Sequence, residues 1–163
     1  MYKNDIIASC LLIFTNSQKN YIITSTTCGL NRTINVYLLS KGNLVNKFDP
    51  KYGIYYLLDW YNKKNDKYYI ICFSWGSLSI VELLGNKFYD KKEIYDSNYG
   101  FIYNEQSNYY LCFCTYRGYI GLYDLYNKII VKFINFSDSK FNSIIQWNNK
   151  YVIVSNQNKN LFK

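Results

Sequence analysis

Residues 118–133 read GYIGLYDLYNKIIVKF, and residues 33–48 read TINVYLLSKGNLVNKF. Both alternate apolar and polar residues, reach a Tyr near the fifth position, cross a small turn and close on Lys-Phe. Alternation is the period of a half-buried strand, so each stretch reads as two strands joined by a hairpin. The same pattern recurs on either side. YIITSTT from Tyr21, YIICFSW from Tyr69, YLCFCTY from Tyr110 and YVIVSNQ from Tyr151 each open on a Tyr, and these Tyr lie 48, 41 and 41 residues apart. The first three are followed by an alternating strand: TINVYLL from Thr33, SLSIVEL from Ser77 and YIGLYDL from Tyr119. All four are preceded by an apolar run and a polar hairpin, in CLLIFTNSQKN, YYLLDWYNKKNDK, YGFIYNEQSN and NSIIQWNNK. A further partner strand follows in NLVNKF and KIIVKF.

The unit is therefore four short strands, A to D, in a period of about 40–45 residues, which is the signature of a β-propeller blade. The sequence predicts an all-β fold in one partial propeller, with blades at approximately 5–49, 51–95, 96–135 and an incomplete 136–163. A β-sandwich, whose strands also recur at short spacing, is the alternative. Propellers hold about 4–8 blades. The expectation is thus a piece of a larger propeller, a truncated product, or a partial propeller completed by a partner; a self-contained four-bladed ring is the further alternative and needs unusual closure.

Composition agrees with strands. The chain has 163 residues, 49% hydrophobic and 20% aromatic, with 20 Tyr and 10 Phe, and aromatic and β-branched residues suit pleated surfaces. Pro50 is the single proline, so Asn and Gly make the turns. Net charge is +8, but the Lys residues are scattered through Asn-rich loops. The densest group is Lys63, Lys64 and Lys67, in an expected hairpin. That scatter favours solvated loops over a dedicated polyanion site.

Five Cys (Cys10, Cys28, Cys72, Cys112, Cys114) include no CxxC pair, and the chain has no His, so the usual zinc spacings are missing. Cys112 and Cys114 are two apart and would share one face of a strand as buried thiols in a reducing compartment. The longest apolar run, Ile6 to Phe14, is far short of the roughly 20 residues a bilayer span needs. Asp5 in its flank and the absence of a cleavage site argue against a signal peptide. Cytoplasmic localisation is expected, and neither a cofactor nor a metal.

Tyr110 to Leu125, YLCFCTYRGYIGLYDL, resembles a WD-repeat: an apolar strand B, a tight turn ending in Gly118, and a strand C closing on an aromatic–Asp pair. Tyr123-Asp124 stands where that family has Trp-Asp, and Tyr37-Leu38 and Val81-Glu82 stand there in blades 1 and 2. The resemblance covers the whole chain as a pattern and is specific mainly in blade 3. The family often ties a blade with a His before strand A and an Asp in the B–C turn. Here His is absent and Arg117 precedes Gly118, so packing between sheets is expected to hold the blades. The resemblance implies a rigid platform whose loops hold peptides or proteins.

Enzyme chemistry has little to stand on. There is no His base, no recognisable nucleophile elbow and no glycine-rich phosphate loop. The expected function is a non-catalytic scaffold with a protein or peptide partner. The B–C turns supply its candidate residues: Arg32, Trp75, Tyr116 and Arg117, of the types most enriched among binding hot spots. Packing between blades is the competing reading for Trp75 and Tyr116. Trp60 and Trp147, aligned near the ends of the A strands, are expected in the core. The alternative function is binding of RNA or an anionic surface through dispersed Lys and exposed aromatics.

Overall fold

The computed structural model describes residues 8–15, 19–26, 32–50, 52–85, 88–94, 97–136, 140–148, 151–156 and 161–162. Cys28, Asp96 and the start of the apolar run at residues 6–7 lie outside them. The described residues form strands and turns with no helix, as the sequence predicts. Contacts divide the chain into two compact units, 1–92 and 93–163.

The first unit holds two four-stranded antiparallel sheets. β1 (Ala8–Thr15), β2 (Asn20–Thr26), β3 (Thr33–Leu38) and β4 (Asn43–Phe48) lie side by side in sequence order. β5 (Ile54–Asn62), β6 (Lys67–Ser74), β7 (Leu78–Glu82) and β8 (Phe88–Lys92) repeat the order. One apolar layer joins the sheets, with Tyr21, Ile23, Ile34, Val36 and Phe48 against Ile54, Leu57, Ile70, Cys72, Val81 and Leu83. Burying each such side chain contributes about 1.5–3 kcal/mol. Asn46 of β4 also crosses between the sheets, donating to the carbonyls of Leu83 (3.1 Å) and Gly85 (2.8 Å). Packing between sheets is thus supplemented here by a bidentate amide.

The second unit repeats the plan. β9 (Ser97–Glu105), β10 (Asn108–Thr115), β11 (Tyr119–Asp124) and β12 (Ile129–Asn135) form a four-stranded sheet, and β13 (Phe141–Gln146), β14 (Val152–Asn156) and β15 (Leu161–Phe162) a three-stranded one. Cys112 and Cys114 do share a face, packed with Phe141, Ile144 and Val154. Asn98 donates across to the Phe141 carbonyl at 3.0 Å.

The register carries a repeat finer than the strands. Each A–B pair slips by one residue near the start of strand A, at Ala8/Cys10, Ile54/Tyr56, Ser97/Tyr99 and Phe141/Ser143. Each C–D pair slips once in strand D, so that Val45, Tyr89 and Val131 bulge. Bulges of this kind raise local twist. The C–D turns match too. Gly42 and Lys128 both take positive φ (64° and 60°) and donate back four residues, to Leu38 and Asp124. Asp124 closes its turn with its carboxylate, accepting from the Tyr126 and Asn127 backbone N–H at 2.8 and 2.9 Å.

The aligned tryptophans part company. Trp60 is 2% exposed, covered by Tyr69 and Tyr89 with ring centroids at 5.2 and 5.6 Å. Trp147 is 59% exposed, against the expectation of a core residue. Tyr89, the second ring that covers Trp60, belongs to the D strand of its own sheet.

Candidate functional site

The four candidate residues lie in B–C turns, at the end of each sheet where strand A begins and strand D ends. Arg32 and Trp75 belong to the first unit; Tyr116 and Arg117 belong to the second.

The turn carrying Trp75 is held by its own serines. The Ser74 N–H donates to the Ser77 carbonyl at 3.1 Å and the Ser74 hydroxyl to the same oxygen at 2.6 Å. The Ser74 and Ser77 hydroxyls lie 3.0 Å apart, and Ser77 and Ser79 3.4 Å apart, all buried. Trp75 and Gly76 form the apex. A Cβ at Gly76 would meet the Tyr52 ring at 2.7 Å, so that ring lies against the turn. Trp75 itself is 65% exposed, touching the half-open Tyr55 ring at 5.8 Å. Tyr55 is the A-strand bulge residue of this sheet. The result is an outward apolar pair, Trp75 and Tyr55, on a turn with little freedom to lose, with the Tyr52 ring against its Gly76.

In the second unit Gly118 takes φ +81° and donates to the Thr115 carbonyl at 3.2 Å, while the Thr115 hydroxyl accepts from the Tyr119 N–H at 3.2 Å. Tyr116 is half-buried and Arg117 exposed. Lys140 Nζ sits 4.6 Å from the Tyr116 ring centroid, a cation–π geometry. Arg32 is exposed immediately before β3; residues 27–31 of its turn lie outside the described residues.

The Lys-rich hairpin is partly spent on local structure. Lys67 pairs with Glu82 at 3.0 Å, and that partnership pushes the Lys67 ammonium up from its ordinary pKa. Asp66 turns the hairpin with φ 56° and accepts from the Tyr61 hydroxyl at 2.5 Å, which raises the Tyr61 pKa. Burial pushes the Cys112 and Cys114 thiols up to about 12, so both stay protonated at neutral pH and neither is an activated nucleophile. Among the described residues no group of three or more His, Cys, Asp or Glu could hold a metal, and no helix is long and apolar enough to cross a membrane.

Sequence reasoning did not single out Tyr55 and Tyr52. The only signal was their proximity to the start of strand A, the end of the sheet that also carries the B–C turn. Lys140 was equally silent.

No protein-family model and no curated protein matches the sequence. Solved structures do match in fold. The computationally designed protein Ika4 superposes with a TM-score of 0.70 at 10% identity, over 98% of this chain and 91% of Ika4. Sqt1 from Saccharomyces cerevisiae superposes with a TM-score of 0.74 at 14% identity, over 93% of this chain and 44% of Sqt1. The designed protein Ika8 gives 0.68 at 11% identity, over 94% of this chain and 44% of Ika8. The chain thus spans less than half the length of the last two. The designed proteins are β-propellers and Sqt1 is a WD-repeat protein, so the likeness places the described sheets as propeller blades.

Proposed function

We propose that this chain is a non-catalytic interaction scaffold of WD-repeat type, which holds a peptide or protein partner on its B–C turns. The observation that carries the reading is Trp75: a large apolar side chain left 65% exposed on a turn pinned by buried serine hydrogen bonds. An anchor already fixed in place loses little entropy on binding, and Trp, Tyr and Arg dominate interface hot spots. The Trp75–Tyr55 pair offers a seat for an apolar side chain. Arg117, with Lys140 beside Tyr116, offers cationic contacts to a carboxylate. The structural likeness to Sqt1 and the WD-like stretch from Tyr110 support the same class.

The test is selection of peptides from a random display library on the wild-type chain, followed by titration against Trp75→Ala and Arg117→Ala. Trp75→Ala is expected to weaken peptides held on the first unit, and Arg117→Ala those held on the second, each by about tenfold, roughly 1–2 kcal/mol. A selection without binders, or binders indifferent to both substitutions, would contradict the reading.

A further inference from the structure

The place of the Trp75–Tyr55 pair in its sheet narrows what a partner can be. Extended, helical and polyproline segments are the main-chain forms that recur in peptide recognition. An extended segment adds to a sheet edge. The Trp75 turn joins β6 to β7, and in the order β5-β6-β7-β8 both have a hydrogen-bonded neighbour on either side, so no sheet edge runs beside Trp75. A helix lays an apolar stripe into a groove. Trp75 stands at the apex of a turn, 65% exposed, with Tyr55 beside it at 38%, and forms a projection instead. A polyproline segment needs neither edge nor groove floor. Its backbone makes no internal hydrogen bonds and is solvated, and it docks by laying proline rings on aromatic faces.

We infer that Trp75 and Tyr55 receive an X-Pro step of a proline-rich segment from another protein. The two rings lie 5.8 Å apart between centroids, tilted by 49°. Residues i and i+3 of a polyproline helix are roughly 9 Å apart along its axis, so the pair matches a single step of that helix better than two successive turns. The exposed indole also carries an N–H that donates, and the carbonyls of a polyproline segment are acceptors with no internal partner. Both sides are stiff before they meet. The Ser74 hydroxyl holds the turn through the Ser77 carbonyl at 2.6 Å and the Ser77 hydroxyl at 3.0 Å, and proline has a fixed φ. Docking therefore orders little that was free. Aromatic pairs also hold alkylammonium cations, but this chain carries a net charge of +8, which repels such a ligand.

This inference rests on Trp75 being a recognition side chain and adds what it recognises. The experiment titrates the full isotope-labelled chain with a blocked oligoproline of about ten residues, followed through the indole N–H resonances. A Gly-Ser peptide of equal length and a trimethyllysine peptide serve as comparisons. Trp147, 59% exposed, reports stacking on any open indole. The Trp75 resonance is expected to move saturably with oligoproline while that of Trp147 stays in place. Trp75→Ala and Tyr55→Ala, followed by calorimetry, should each weaken binding by at least tenfold. If either variant does not fold, the wild-type indole shifts decide alone. A Trp75 resonance that does not move, or moves no more than that of Trp147, overturns the inference. So does an equal response to the Gly-Ser or trimethyllysine peptide. Display-selected peptides that depend on Trp75 but lack proline would sink this inference and leave the scaffold reading standing, whereas a selection without binders removes the scaffold reading itself.

Discussion

Gly121→Ala adds one methyl group at a crowded point of the second unit. Gly121 of β11 lies directly across from Phe113 of β10. A Cβ there would stand 2.1 Å from Phe113 Cζ, 2.5 Å from Cε1 and 2.7 Å from Cε2. Gly121 is not among the glycines with positive φ, so space alone forbids the side chain. The Phe113 ring is fully buried, with Phe133 beside it at 6.2 Å between centroids, and cannot swing into solvent. Carbon atoms settle about 3.5–4.0 Å apart, so the ring or the strand must shift by more than an ångström. Overpacking usually costs about 1–3 kcal/mol, and this geometry belongs at about 3 kcal/mol. In a chain of this length that lowers the melting temperature by roughly 6–12 °C. Urea unfolding followed by circular dichroism measures it, with the m-value checked for constancy. Phe113→Leu removes the obstructing edge. In that background Gly121→Ala should cost less than about 1 kcal/mol, a coupling of roughly 2 kcal/mol. A change below about 0.5 kcal/mol for Gly121→Ala alone, or an equal cost in both backgrounds, would refute the packing argument.

Trp60→Ala should destabilise by about 3–5 kcal/mol, the usual cost of emptying a buried aromatic site, whereas Trp147→Ala at the aligned position should change stability by less than about 0.5 kcal/mol; parallel urea titrations compare them. Asn46→Ala removes two donors that satisfy the Leu83 and Gly85 carbonyls and should cost about 1–3 kcal/mol. Asn46→Asp should be worse at neutral pH, because it sets a carboxylate against two carbonyl oxygens, and should partly recover in acid. The thiols of Cys112 and Cys114 rise from 9.0 to about 12 on folding. Their contribution is therefore complete below about pH 9 and is lost as pH climbs toward 12, because the unfolded chain ionises first. Stability measured against pH should fall more steeply above pH 9 in the wild type than in a Cys112→Ala/Cys114→Ala double variant.

Strand positions were legible because apolar alternation and a Tyr-led period survive in one sequence. Tyr21, Tyr69 and Tyr110 do pair across to Leu38, Glu82 and Asp124, as the repeat implies. β8 was not legible, because FYDKK carries charge on an edge where no alternation is needed. The bulges were silent, since a one-residue slip leaves no mark on composition. Trp60 and Trp147 share a sequence position but not an exposure, and the Tyr89 ring that covers Trp60 comes from a strand that begins 28 residues further on, which local pattern does not reveal. Asn46 and Asn98 could not be distinguished from the many turn-forming Asn residues, since their role depends on carbonyls 37 to 43 residues away. At the candidate turns the sequence supplied Trp75 and Arg117. The serine lock and the Tyr52 and Tyr55 neighbours required the third dimension.

If Trp75 is displayed for recognition rather than packed for stability, Trp75→Ala measured for both properties separates the two roles. Affinity for a display-selected peptide is predicted to fall about tenfold while the unfolding free energy moves by less than about 1 kcal/mol. A loss of roughly 3–5 kcal/mol in stability, with binding declining only as the chain unfolds, would contradict it.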